Sequence, residues 1–122
     1  VFGGDKDHVA RPEDKKNFTL LLAELRKQLD ARGKADHKQF ILTIAAPATG
    51  LQRIELDQIH RYLDFINLMT YDFAGEWSER TGFNAALFPV PDHPEQVSAS
   101  ASVEAYLAGG VPRAKIVLGV PF

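Results

Sequence analysis

Phe65-Ile66-Asn67-Leu68-Met69-Thr70-Tyr71-Asp72 is the stretch on which the fold reading turns. Phe65 to Thr70 is a short, mostly apolar run, of the kind that forms a strand buried on both faces in a parallel sheet. Two further runs share its character, Phe40-Ile41-Leu42-Thr43-Ile44-Ala45-Ala46 before it and Ile116-Val117-Leu118-Gly119-Val120 after it. Pro47 and Gly50 end the first of them. Tyr71 and Asp72 leave the central run at its C-terminal end and open a segment of about 27 residues reaching Val97, punctuated by Gly75, Gly82, Pro89, Pro91 and Pro94. That is well beyond an ordinary connection, and loops so long are often functional.

Helical patterns lie between the strands. Phe18, Leu21, Leu22, Leu25 and Leu29 recur at the 3.6-residue period and predict a one-sided helix. Pro12 suits its first turn, Glu13 and Asp14 suit its positive end, Arg26, Lys27 and Arg32 lie toward its negative end, and Gly33 is the expected stop. Ile54, Leu56, Ile59, Tyr62 and Leu63 predict a second, short helix. Ser102 to Ala108 predicts a third, ended by Gly109 and Gly110. The order helix, strand, helix, strand, long loop, helix, strand belongs to an α/β fold with a parallel sheet. Three parallel strands leave two open edges, which are a liability unless paired or covered. A closed (β/α)8 barrel needs about 250 residues. The expected fold is therefore an interior fragment of such a TIM barrel, roughly half of one.

Composition narrows the function. The chain has 122 residues, with 14 Lys plus Arg against 16 Asp plus Glu, so its formal charge is only −2. That balance gives no electrostatic case for nucleic acid or an anionic membrane as partner. The absence of cysteine excludes disulfides, thiolate metal sites and a thiol nucleophile within these residues. No apolar run approaches the roughly 18 residues of a membrane span. No leader pattern opens the chain, and the residues assign no compartment. His8, His37, His60 and His93 show no metal-ligand spacing and are expected at the surface. No metal or organic cofactor is implied.

In parallel α/β folds ligands bind beyond the C-terminal strand ends, which selects Tyr71 and Asp72. Met69 precedes them, and Trp77, the single tryptophan, follows in the same loop. An aromatic face beside a phenol and a carboxylate suits a sugar: the ring takes C–H groups, and the polar groups take hydroxyls and amides. Each residue also has an ordinary structural reading. Asp72 could form a turn or cap, Tyr71 could be a core residue bonded to backbone, Trp77 could pin the loop, and Met69 could simply pack.

The segment Phe65 to Gly75 resembles the Met-x-Tyr-Asp strand of the glycoside hydrolase family 18 chitinases. Pro12-Glu13-Asp14 through Asn17-Phe18, with Leu21-Leu22-x-Glu24-Leu25-Arg26, resembles the helix after that family's fourth barrel strand. Leu42 to Ala48 resembles its fifth strand, Tyr62-Leu63-Asp64 the approach to its sixth, and Lys115 to Phe122 its seventh. The resemblance covers essentially the whole chain and makes residues 1–122 a partial catalytic domain, about strands five to seven with the preceding helices. The family's Asp-x-x-Asp-x-Asp-x-Glu signature, whose Glu is the proton donor, does not occur here and is expected shortly before Val1. The Tyr-Gly-Arg that often follows the seventh strand is also absent. Phe83 stands where the family often has His, and Ala86 where it has Pro or Ser.

The resemblance implies a secreted enzyme that cleaves β-1,4-linked N-acetylglucosamine polymers, with chitin or its oligosaccharides as partner. It implies catalytic roles for Tyr71 and Asp72 and substrate contacts for Met69 and Trp77. The 122 residues alone are then expected to be inactive. A chitin-binding, lectin-like member of the same fold is the alternative. Glu at the end of the upstream signature favours the enzyme, and Gln or Leu favours the lectin. An α/β unit with no sugar site is the third reading.

Overall fold

The computed structural model describes residues 11–91 and 96–122. His8 and His93 lie outside them. In chain order the elements are α1 (Asp14–Asp36), β1 (Thr43–Pro47), a 3-10 turn (Leu51–Arg53), α2 (Leu56–Ile59), β2 (Phe65–Met69), α3 (Ala99–Ala108), a second 3-10 turn (Arg113–Lys115) and β3 (Ile116–Leu118). The strands form one parallel sheet in the order β1-β2-β3. Thr43 pairs with Phe65 and Pro47 with Met69, while Ile66 pairs with Ile116 and Leu68 with Leu118. The expected alternation of helices and strands is present, and the long central segment is present with it.

Side chains alternate across a strand, so the register divides the sheet into two faces. Ile44, Ala46, Ile66, Leu68 and Ile116 share one face, and all five join Leu22, Ile54, Leu56, Ile59, Leu63, Tyr106 and Val111 in the core. Thr43, Ala45, Phe65, Asn67, Met69 and Val117 point to the other face, and none belongs to that core. Ile66 and Leu68 are buried, whereas Met69 is 37% and Val117 42% exposed. The apolar runs predict strands buried on both faces. Among the described residues only one face is covered, because all the helices pack on that side.

Four further expectations change in detail. The helix predicted over Ile54–Leu63 is a 3-10 turn followed by the four-residue α2, with Leu63 beyond its end. The α1 stripe is divided. Leu22 is buried and Phe18 packs on the core, but Leu21 is 54% and Leu25 40% exposed. Pro12 falls just ahead of the helix, which starts at Asp14 with Glu13 as its N-cap. His37 is exposed, as expected, but His60 is half-buried. Burial, followed by the Lys115 charge, holds the His60 pKa below its usual value. The Lys115 ammonium donates to the backbone oxygens of His60 and Leu63, at 2.7 Å each.

The N-terminal ends of the strands are tied by charge. Asp64 Oδ2 accepts from Leu42 N at 2.7 Å and from Arg26 Nη1 at 3.2 Å. Arg26 Nη2 also donates to Phe40 O at 2.9 Å, so one guanidinium fastens α1 to the entrances of β1 and β2. At the opposite end, Tyr106 of α3 is fully buried and donates its hydroxyl to Pro47 O at 2.8 Å. Burial pushes the Tyr106 phenol up to about 12, so it stays a neutral donor.

Gly33 does not stop α1. The helix runs three residues further and closes on His37, which takes the left-handed conformation at φ 53°. Gly33 O then accepts from His37 N, and from Lys38 N at 2.9 Å. A Cβ at Gly33 would collide with Lys38 O. The glycine is therefore there for room, not for its own φ. Propensity alone predicts that Gly33→Ala stabilises the helix by about 1 kcal/mol. The close approach reverses the sign, and a loss of about 1–2 kcal/mol is expected in chemical denaturation.

Candidate functional site

The C-terminal ends of β1 and β2 open into a concavity of about 350 Å³ lined by Pro47, Ala48, Thr49, Met69, Tyr71, Asp72, Phe73 and Val97. Three of the four residues selected from the sequence, Met69, Tyr71 and Asp72, meet there. Trp77 does not line it. That ring is 66% exposed and lies against Gly75, where a Cβ would sit 2.5 Å from Trp77 Cη2. A short turn holds the indole in place, with Ser78 N donating to Gly75 O at 2.9 Å and Gly75 N donating to Ser78 Oγ at 3.1 Å. One indole face is thus turned to the chain, while most of the ring stays open to solvent.

The strand end is built by β3. Gly119 N donates to Leu68 O at 2.9 Å, and the buried Thr70 hydroxyl donates to Gly119 O at 2.6 Å. A Cβ on Gly119 would collide with Leu68 O and lie 2.9 Å from Tyr71 Cε1. The missing side chain is the space into which the Tyr71 ring packs. Tyr71 is half-buried, with its ring against backbone.

Asp72 is exposed and takes the left-handed conformation, φ 57°. Asp tolerates that region better than most residues. The reversal ends the strand and turns the chain into the loop. Asn84 meets it there. Phe73 N donates to Asn84 O at 2.8 Å, and Asn84 Nδ2 donates to Asp72 Oδ1 at 3.2 Å and to Ala74 O at 3.3 Å. Asn84 and Gly119 are not among the residues that sequence pattern singles out for the site. An isolated Gly in an apolar strand run signals close backbone approach, so Gly119 carried a readable mark. Asn84 carried none, because it is twelve residues from Asp72 in a stretch without periodicity.

Chemically, the concavity presents a phenol, a carboxylate and a thioether beside an apolar wall. It can donate one hydrogen bond from Tyr71, accept others at Asp72, and exclude water over Met69 and Phe73.

The sequence matches the family model for glycosyl hydrolases family 18 over residues 3–122. Chitinase A1 of Niallia circulans is 45% identical over 132 aligned residues, covering 100% of this chain and 19% of that protein. Among solved structures, chitinase ChiA74 from Bacillus thuringiensis superposes with a TM-score of 0.92 at 43% identity, over 96% of this chain and 20% of that one. The class V chitinase from Nicotiana tobaccum in complex with NAG4 gives a TM-score of 0.82 at 32% identity, over 95% of this chain and 34% of that one. The chain thus spans about a fifth to a third of the length of these relatives.

Gly119→Ala is expected to destabilise the fold by about 1–3 kcal/mol, because its Cβ meets backbone that cannot yield. A denaturation midpoint unchanged from the wild type would contradict the packing assigned to the Tyr71 ring.

Proposed function

Because this chain belongs to glycosyl hydrolases family 18, we propose that it is the part of a chitinase catalytic domain that grips an N-acetylated amino sugar. The observation that carries this reading is that Met69, Tyr71 and Asp72 line one concavity at the C-terminal ends of parallel strands. In this reading residues 1–122 supply about strands five to seven of a (β/α)8 barrel with the preceding helices. The whole protein acts outside the cell on chitin or N-acetylglucosamine oligosaccharides.

The reaction is a retaining hydrolysis in which the substrate supplies its own nucleophile, an exception to the two-carboxylate scheme. The acetamide oxygen of the sugar before the scissile bond attacks the anomeric carbon. The glycosidic C–O bond breaks, and the leaving oxygen takes a proton from the signature Glu, which these 122 residues do not contain. Water then opens the cyclic oxazolinium ion with the configuration retained, and the same Glu accepts the water's proton. Tyr71 donates its O–H to the acetamide oxygen and holds it in line for attack. Asp72 hydrogen-bonds the same sugar and places negative charge near the developing oxocarbenium ion. Met69 packs beneath that sugar, and Trp77 stacks on a sugar toward the reducing end.

In the full-length protein, Tyr71→Phe is expected to lower kcat on a soluble N-acetylglucosamine tetramer by about 10²–10³, the usual effect of removing one preorganised donor. Wild-type turnover by that variant would overturn the role given to Tyr71. The 122 residues expressed alone are expected to show no hydrolysis, since the proton donor is not among them. Measurable release of sugar by the purified polypeptide would contradict that assignment of the acid.

A further inference from the structure

Asp72 lies on an exposed, left-handed turn at the end of β2, where nothing in regular secondary structure holds its carboxylate. We propose that Asn84 is a positioning residue for Asp72, fixing the direction in which that carboxylate faces the bound amino sugar. The inference rests on the reading of the site given above.

Three hydrogen bonds support it, all on one short turn. The Asn84 backbone oxygen accepts from Phe73 N, and the two protons of its amide nitrogen go to Asp72 Oδ1 and Ala74 O. Both donors of one side chain therefore close on the residues that flank Phe73. A donor on Oδ1 favours one orientation of the carboxylate and leaves its other oxygen for substrate.

The donor is itself rigidly held. Phe83 O accepts from Gln96 Nε2 at 3.0 Å on one side of Asn84. On the other side, Ala86 O and Leu87 O accept from Ala99 N and Ser100 N at 2.8 and 3.0 Å. Those two N–H groups belong to the first turn of α3 and have no partner within the helix, so the loop satisfies them. Ser98 caps the same end by accepting from Ala101 N at 3.3 Å. Residues 83–87 thus form a strap between the helix end and the strand end. Asn84 faces Asp72 from a backbone pinned on both sides. Preorganisation of this kind matters because misplacement of a reacting group by about 1 Å can cost 10²-fold in rate.

Asn84→Asp keeps the shape and the backbone bond but removes both donors, and Asn84→Ala removes the side chain without adding charge. Measured in the full-length protein on the soluble tetramer, both variants are expected to lose about 10-fold or more in kcat with KM within about twofold. In an Asp72→Ala background, Asn84→Ala is expected to cost no further activity, because its effect runs through the missing carboxylate. Denaturation midpoints confirm that each variant is folded. If Asn84 only braced the loop, its loss would be multiplicative with that of Asp72→Ala, and the proposal falls. If Asp72→Ala impairs turnover while both Asn84 variants keep wild-type kcat, the proposal falls and the site reading stands. Wild-type activity in Asp72→Ala itself would instead remove the site reading on which the proposal depends.

Discussion

One residue of the third strand segment fixes the end of the second. Gly119 donates its N–H to Leu68 O and its carbonyl accepts from the Thr70 hydroxyl, and its missing Cβ leaves room for the Tyr71 ring. Everything chemical in the chain follows from that junction. The two bonds anchor the backbone at Leu68 and at Thr70, where Thr70 N also turns back on Leu68 O at 3.0 Å, so that the next residues depart from a fixed point. Asp72 then turns into the left-handed region directly after that anchored strand end. A side chain at Gly119 would push strand and phenol apart together.

The two ends of the sheet use the same residue types for different work. Asp64 at the N-terminal end accepts from Leu42 N and from Arg26, and Arg26 also reaches Asp30 at 2.8 Å. This carboxylate is committed to joining α1 to two strands. Asp72 at the C-terminal end accepts from the Asn84 amide and is open to solvent. In parallel α/β architecture the N-terminal end serves stability and the C-terminal end serves ligands. Here that rule appears as a difference in how completely each carboxylate is engaged by its own chain.

Elements with strong patterns were legible in the sequence. The Phe65–Met69 strand, the helix over Phe18–Leu29 and the glycine stop after Ala108 all follow from apolar period and backbone chemistry. That Met69, Tyr71 and Asp72 share one concavity was legible because the architecture itself says which strand end to inspect. Gly33 misled, because a glycine chosen for its lack of a Cβ looks the same in sequence as one chosen for a left-handed φ. The continuous apolar run of Phe65–Met69 concealed which face is covered, since alternation is what would have marked it. The placement of Trp77 outside the concavity was not legible, because it depends on the Gly75–Ser78 turn, which leaves no periodic trace.

The open face of the sheet and the concavity belong to one surface. Met69 lies on that face by register with Pro47, and it also lines the site. Gly119 follows Val117 by two residues, so the Tyr71 ring fills the position that the next side chain on that face would occupy. The same face carries Ala45, which is exposed, and Val117, which is 42% exposed, so apolar side chains packing on it would gain by burial. Side chains that cover it must pass beside Met69 and Tyr71. A substitution at Met69, Tyr71 or Gly119 therefore changes the packing at this edge of the face and the wall of the concavity together.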